Sequence, residues 1–253
     1  NGATFTTTAL DPANPMLFSV LVINRSTGVA ADNKRIWFLN NGQWTPSLGG
    51  PDTGSTFTPH AFASPFWAAS NIFYHAGRDR KLWVSTTSGG AWRLMQTHCD
   101  IEGEACGNRE PFVRVGRGLD GDPTHLDVYY GDGFAIFRQA VTVTNPAGNV
   151  GDWRGATSMD HRDPADLAFT PGFTEPLMLA TDGGVHLTTD QGKSWKLTGS
   201  NVGGFVALQV VEMTGRQVGG SSPHLDLYYS TQDNDIKGSS DGGATWHGSL
   251  CCE

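Results

Sequence analysis

The chain has 253 residues, with 17 Lys or Arg against 25 Asp or Glu, which gives a net charge of -8 and a pI near 5.4. This acidic balance argues against nucleic acid and anionic membrane as partners, because both require a concentrated basic surface. The 33 Gly and 13 Pro predict many turns, and no apolar run is long enough to predict a membrane span.

Five tryptophans end polar turns along the chain. The first three turns read N-N-G-Q-W to Trp44, S-T-T-S-G-G-A-W to Trp92 and G-N-V-G-D-W to Trp153. The last two share one pattern, T-T-D-Q-G-K-S-W to Trp195 and S-S-D-G-G-A-T-W to Trp246. The tryptophans are separated by 48, 61, 42 and 51 residues. This spacing is close to the period of about 40 to 50 residues expected of repeated four-stranded units.

Each repeat contains short alternating apolar runs separated by polar turns. In the fourth repeat the runs P-L-M-L-A-T, V-H-L-T-T and W-K-L-T predict two hairpins in series. The third and fifth repeats share T-H-L-D-V-Y-Y at 124–130 and P-H-L-D-L-Y-Y at 223–229. No helical periodicity of useful length competes with these runs. We therefore predict five all-β units with boundaries near 1–55, 56–112, 113–158, 159–205 and 206–253.

The two strongest turns have residue types that suit a clasp between strands. An Asp side chain can accept hydrogen bonds from backbone N–H groups, and a Gly can adopt a positive φ. Hydroxyl side chains can form hydrogen bonds between the flanking strands, and a Trp side chain can pack between sheets. The residues predicted for these roles are Thr188, Asp190, Gly192, Ser194, Trp195, Ser239, Asp241, Gly243, Thr245 and Trp246. This pattern resembles the Asp-box or BNR repeat of sialidase-like β-propellers, and is also similar to sortilin-type and xyloglucanase-type propellers. We interpret the turns as structural.

The resemblance implies an all-β propeller of four-stranded antiparallel blades, of which about five are visible in this sequence. A turn Q-D-N at 232–234 also resembles that of relatives whose chains continue into further blades. We therefore expect the sequence to be an incomplete part of a larger propeller.

In Asp-box blades the box joins the third and fourth strands, so the turns between second and third strands lie on the opposite face, which usually carries binding. The turns predicted there are 24–35, 78–80, 131–133, 182–184 and 232–235. The binding candidates are Asp79, Asp132, Asp182, Asp233, Asp235 and the loop residue His161. They fit an acidic sugar-binding rim or a Ca²⁺ site, or they are ordinary hairpin residues. No other cofactor and no other metal is expected.

We compare the sequence with the catalytic residues of two types of Asp-box enzyme. Sialidases use three arginines, a Tyr with a Glu partner and an Asp, but the R-I-P signature is absent, and Tyr129 and Tyr130 recur as Tyr228 and Tyr229. Xyloglucanase-type enzymes use two carboxylates, for which Asp132 and Asp182 are the candidates. Three functions remain: a noncatalytic module binding glycan or protein, which we favour, a glycoside hydrolase, and a structural or assembly propeller.

The four cysteines give information on the cellular compartment of the protein. Cys99 and Cys106 bracket a short acidic loop and predict a local disulfide, with free thiols or zinc as alternatives. Adjacent Cys251 and Cys252 would form a strained bridge. Together with a glycosylation sequon at 24–26, these features predict an extracellular or periplasmic protein.

Overall fold

All regular structure in the described part of the chain is β-strand. The computed structural model describes residues 17–32, 35–50, 60–77, 81–97, 111–131, 135–149, 152–156, 158–159, 163–170, 173, 176–181, 183–197, 210–219, 224–231, 236–242, 244–245 and 247–248. Within these ranges the strands form five sheets, in which consecutive strands pair antiparallel, except that one short strand pairs in parallel with the last strand of the fourth sheet.

The first sheet contains β1 (Leu17–Asn24), β2 (Thr27–Asp32), β3 (Ile36–Asn40) and β4 (Gln43–Pro46). The second contains β5 (His60–Ala63), β6 (Phe73–Gly77), β7 (Lys81–Ser85) and β8 (Arg93–Thr97). The third contains β9 (Phe112–Arg117), β10 (His125–Gly131), β11 (Ile136–Thr142) and β12 (Arg154–Gly155). The fourth contains β13 (Ser158–Met159), β14 (Pro164–Phe169), β15 (Pro176–Thr181), β16 (Gly184–Leu187) and β17 (Ser194–Leu197). The fifth contains β18 (Val210–Val218), β19 (His224–Thr231), β20 (Ile236–Ser239) and β21 (His247–Gly248).

Strand β10 shows how the sequence produces stacked sheets. Successive side chains of a strand point to opposite faces. Leu126, Val128 and Tyr130 therefore enter the core shared with the second sheet, whereas Tyr129 enters the core shared with the fourth. Because both faces of β10 are covered, its apolar run is nearly continuous, which explains the string H-L-D-V-Y-Y.

Among the described residues, three apolar cores lie between successive sheets, and each contains a tryptophan that ends one of the polar turns. Trp92 of the second sheet packs against the first, Trp153 of the third sheet packs against the second, and Trp195 of the fourth packs against the third. Trp195 is 0% exposed. Trp44 occupies the same position in the first sheet and is only partly buried.

The first four sheets follow one another around a common axis. Their first long strands, β1, β5, β9 and β14, contact one another in that order. The segment leaving one sheet also pairs in parallel with the outer part of the next, at Leu48 with Ala91 and at Ser158 with Ser194. This arrangement is that of propeller blades.

The predicted turn at 24–35 is wrong, because it contains strand β2. Val29, Ala30 and Ala31 are fully buried, and the turn between β1 and β2 is tight, with the Ser26 amide donating to Asn24 Oδ1 at 2.9 Å. The polar residues before Val29 led to the prediction of a turn instead of this buried strand. The other four predicted turns fall, within a residue, between the second and third long strands of their sheets.

Candidate functional site

The carboxylate of Asp190 is satisfied within its own turn. Its Oδ2 accepts the Ser194 hydroxyl at 2.6 Å, and its Oδ1 accepts the Ser194 amide and the Thr188 hydroxyl, both at 2.8 Å. Gly192 has a φ of 83°. The bonds from Ser194 lower the pKa of Asp190 to about 2. The predicted amide bond is present, and this carboxylate has little capacity left for a ligand.

The turn of Asp241 repeats this geometry. Its Oδ1 accepts the Thr245 amide at 2.8 Å and the Ser239 hydroxyl at 2.7 Å, while the Thr245 hydroxyl donates to Oδ2. These bonds, first of all that from the Thr245 hydroxyl, hold the pKa of Asp241 well below its usual range. Gly243 and Trp246 lie outside the described residues.

The weaker copy before Trp92 forms a related clasp without an Asp. The Ala91 amide donates to the Thr87 hydroxyl at 2.8 Å, and the Gly89 amide donates to the Ser85 hydroxyl at 3.0 Å. Thr87 therefore accepts the bond that the Asp accepts in the stronger copies.

The residues predicted for ligand binding and catalysis all lie outside the described residues: Asp79, Asp132, Asp182, Asp233, Asp235 and His161. The same holds for Cys99 and Cys106, so their disulfide stays a prediction. Among the described residues, no three His, Cys, Asp or Glu side chains are grouped to hold a metal ion.

A cavity of about 380 Å³ opens at one end of the third sheet. We call this the Trp-turn end, where the first strand of a sheet joins the second and the third joins the fourth. The cavity lies between the β9–β10 and β11–β12 connections, at the opposite end of the sheet from Gly131. It is lined by Gly118, Leu119, Asp120, His125, Leu126, Asp127, Arg138, Ala140, Val141, Thr142, Asn145, Gly148 and Asn149. Its volume is typical of small-molecule sites, at about 300 to 1,000 Å³.

Asp120 and His125 form a hydrogen-bonded pair in the lining of this third-sheet cavity. His125 Nδ1 is hydrogen-bonded to Asp120 Oδ2, and His125 Nε2 lies 3.9 Å from Asp122 Oδ2. The bond from His125 holds the pKa of Asp120 below its usual value, and the same bond raises the pKa of His125. Asp122 is engaged by its own turn, since its Oδ1 accepts the Thr124 hydroxyl at 2.6 Å. Asp120 and His125 are both substantially exposed.

Asp127 and Arg138 form the inner charged pair of the cavity. Arg138 Nε and Nη2 donate to Asp127 Oδ1 at 2.9 and 2.8 Å. The Asp127 side chain is 1% exposed, whereas a quarter of Arg138 remains exposed. Burial raises the pKa of Asp127, and Arg138 acts in the opposite direction. The carboxylate therefore holds the guanidinium in place beneath the cavity.

The same Asp position is paired with an arginine in the fifth sheet. Asp226 lies at the corresponding place in P-H-L-D-L-Y-Y, and its Oδ2 accepts a bond from Arg216 Nε at 3.2 Å. His224 Nε2 lies 3.2 Å from Asp226 Oδ1. The repeated string thus places a buried Asp beside an Arg, and it is the one sequence signal for the inner pair. Sequence reasoning assigned no role to Asp120 or His125.

A second cavity, of about 320 Å³, lies where the first long strands of four sheets meet. Arg114 of β9 and Asp166 of β14 line it and form an ion pair of 2.7 Å. Both side chains are partly exposed. Their charges neutralise each other across the axis.

No protein-family model and no curated protein sequence matches the chain. Solved structures do resemble it. The extracellular domain of a one-component system from B. thetaiotaomicron has 13% identity over 96% of this chain and 28% of its own, with a TM-score of 0.52. YCF48 bound to D1 peptide has 12% identity over 91% and 81%, with a TM-score of 0.49. The GH74 xyloglucanase from Xanthomonas campestris has 17% identity over 92% and 37%, with a TM-score of 0.46.

The chain therefore spans well under half of two of these proteins and most of the third. At such identities the likeness concerns the fold alone, and it supports a propeller fold for this chain. In the described part of the chain, no helix has the length and apolar character of a membrane span.

Proposed function

We propose that this chain is a noncatalytic binding propeller and that its third-sheet cavity takes a hydroxyl-rich ligand, a glycan. The observation that carries the proposal is the convergence of accessible charged and polar groups on one cavity. Asp120, His125, Arg138 and Asn149 all line it. Sugar hydroxyls both donate and accept hydrogen bonds, and this set supplies carboxylate and amide acceptors together with guanidinium, amide and imidazole donors.

The groups at the cavity are held in place before a ligand arrives. Asp127 fixes two nitrogens of Arg138, which leaves Nη1 available as a donor. The bond between His125 and Asp120 fixes the outer pair. The side-chain entropy lost on binding is therefore smaller than for mobile surface groups, which favours affinity.

A glycoside hydrolase is the alternative that one observation favours. Asp120 and Asp127 share a cavity and have pKa values shifted in opposite directions, as in acid–base pairs. A general acid must reach the proton acceptor, however. Asp127 is 1% exposed and binds Arg138, so it is poorly placed to protonate a glycosidic oxygen. Binding is therefore the better interpretation, and the assembly-propeller alternative predicts no glycan affinity.

We also propose that the protein acts outside the cytosol. The pair Cys99 and Cys106 and the sequon at 24–26 support this location. Finding the Asn24 side chain unmodified and both thiols free in protein from its native source would contradict it.

The function is tested with a glycan array on the full chain, followed by calorimetric titration of the bound glycan. We expect Asp120→Asn to raise the Kd by about 10-fold to 150-fold, because a charged hydrogen bond contributes about 1.5 to 3 kcal/mol. The matched control is Asp166→Asn, because both carboxylates are about half exposed and ion-paired, but Asp166 lies at the second cavity. It should change the Kd less than twofold.

Product analysis on the same glycans separates the alternatives. Equal Kd values for wild type and Asp120→Asn would contradict the site. Sustained turnover that is lost in Asp120→Asn, or in Asp132→Asn or Asp182→Asn, would establish the hydrolase instead. Absence of glycan binding by the wild type would favour an assembly role.

A further inference from the structure

An aromatic platform lies beside the third-sheet cavity, formed by Phe66, Trp67 and Phe173. Phe66 and Trp67 belong to the β5–β6 connection, and Phe173 belongs to the β14–β15 connection. Trp67 and Phe173 stack at 4.6 Å with an angle of 16°. Phe66 meets both edge-on, at 5.2 Å from Trp67 and 5.9 Å from Phe173. Rings from two sheets thus meet at the Trp-turn end.

The platform exposes apolar surface at an energetic cost. Phe66 is 49% exposed and Phe173 is 39% exposed. Exposing this apolar ring surface to water is less favourable than burying it in a core. Phe173 also has a φ of 61°, a region that a bulky side chain rarely adopts. Such strain is concentrated at functional sites. The fold therefore keeps the Phe173 ring exposed to solvent, although both the exposure of an apolar ring and the positive φ are unfavourable.

The platform is continuous with the cavity through the end of β9. The Arg117 guanidinium lies 5.6 Å from the Trp67 ring centre, and the Arg117 amide donates to the Phe173 carbonyl at 2.6 Å. The next residue, Gly118, lines the cavity, and its amide donates to the His125 carbonyl at 2.8 Å. One backbone segment thus supports both surfaces.

We propose that the aromatic platform is a second subsite for the same ligand, so that the ligand is an uncharged oligosaccharide extending from the cavity over the exposed rings. This inference rests on the proposed function. Sugars with equatorial hydroxyls present C–H groups on their faces, which carry partial positive charge, and aromatic ring faces are negative. Arg138 already has Asp127 as its partner, His125 is hydrogen-bonded to Asp120, and the Arg117 guanidinium lies over the Trp67 ring, so an anionic sugar is not favoured.

The size of the platform favours a sugar over a protein partner. A stable protein interface buries about 800 Å² on each side. An aromatic side chain offers about 150 to 250 Å², so the exposed parts of Phe66 and Phe173 provide on the order of 200 Å². That area suits one or two sugar rings, and the polar cavity beside it supplies the hydroxyl partners that sugars require.

Length dependence of binding tests the inference. The probes are β-1,4-linked glucose and N-acetylglucosamine oligosaccharides of two and of six residues, titrated calorimetrically into the full chain. We expect wild type to bind a hexamer at least tenfold more tightly than its dimer. The double variant Phe66→Ala/Phe173→Ala should reduce that preference below threefold and leave the dimer affinity within twofold.

The control variant is Leu94→Ala, which removes an apolar side chain that is 46% exposed on β8 of the same sheet as Phe66. It should keep the full length preference, and circular dichroism should show that both variants are folded. Asp120-dependent binding without a length preference, or a preference that survives loss of both phenyl rings, would overturn the platform subsite alone. Failure of wild type to bind any of the four probes would overturn this ligand class, while binding to other glycans on the array would leave the proposed function standing.

Discussion

Replacing Trp195 by Ala should destabilise the protein strongly, because this side chain fills the core between the third and fourth sheets. It is 0% exposed and packs with Leu167 and Leu179 of its own sheet and with Phe112 and Tyr129 of the neighbouring sheet. Removing it leaves a cavity that both sheets must collapse to fill.

The expected loss is about 3 to 5 kcal/mol, the range for large aromatic residues truncated in cores. Burial of about 200 Å² at about 25 cal/mol per Å² gives a similar upper value. For a chain of 253 residues this corresponds to a fall in Tm of roughly 6 to 20 °C. Trp195→Phe should lose less, because it keeps ring packing and removes a buried indole N–H that has no acceptor among the described residues.

The assay is thermal and urea unfolding followed by far-UV circular dichroism, which avoids changing the fluorescent reporter. Trp44→Ala is the matched control, since Trp44 ends the corresponding turn of the first sheet but is only partly buried. A loss below about 1 kcal/mol for Trp195→Ala, or a loss no larger than that of Trp44→Ala, would refute the assignment of this tryptophan to an inter-sheet core.

Three further predictions concern the turns and the sheets. Asp190→Asn should lower the Tm at pH 7. The difference from wild type should decrease as the pH falls towards about 2, because a lowered pKa stabilises the fold only while the carboxylate is ionised. A difference at pH 2 as large as that at pH 7 would contradict this. Gly116→Ala should lower the free energy of unfolding by about 1 to 3 kcal/mol, because the added Cβ would lie 2.6 Å from the Phe169 ring. A urea unfolding curve identical to that of wild type would contradict this prediction. Non-reducing peptide mapping should join Cys99 to Cys106, and two alkylated thiols would show that they are free.

The positions of the turns were predictable because the signals for them are local. Asp190 and Asp241 bond to groups four residues away, so their turn chemistry is contained in a short string. Trp92, Trp153 and Trp195 follow such turns and recur at a period that identifies stacked sheets. The prediction of a turn at 24–35 was wrong because polar residues precede the apolar run of β2, and the burial of that run depends on packing against a neighbouring sheet.

The cavity was not predictable because its parts come from separate segments. Asp120 and His125 belong to a turn that resembles many polar turns, and Arg138 meets Asp127 only through the register of β10 and β11. A single sequence contains no direct record of such pairing. The platform was missed for the same reason, since Phe66 and Phe173 are remote in the chain and belong to connections of different sheets.

The cavity exists where the third sheet departs from the repeated clasp. In the fourth sheet β16 ends at Leu187 and β17 begins at Ser194, and the Asp190 carboxylate closes the short turn between them. In the third sheet the connection from β11 to β12 runs from 143 to 153, and its Asp152 carboxylate accepts a bond from Asn149 Nδ2 at 3.1 Å. The connection is also held by a bond of 2.6 Å from Gln139 Nε2 to the Asn149 carbonyl. Three residues of this longer connection, Asn145, Gly148 and Asn149, line the cavity. A regular repeat uses its polar groups within turns, whereas the third sheet brings polar groups from two connections and two strands to the lining of one cavity.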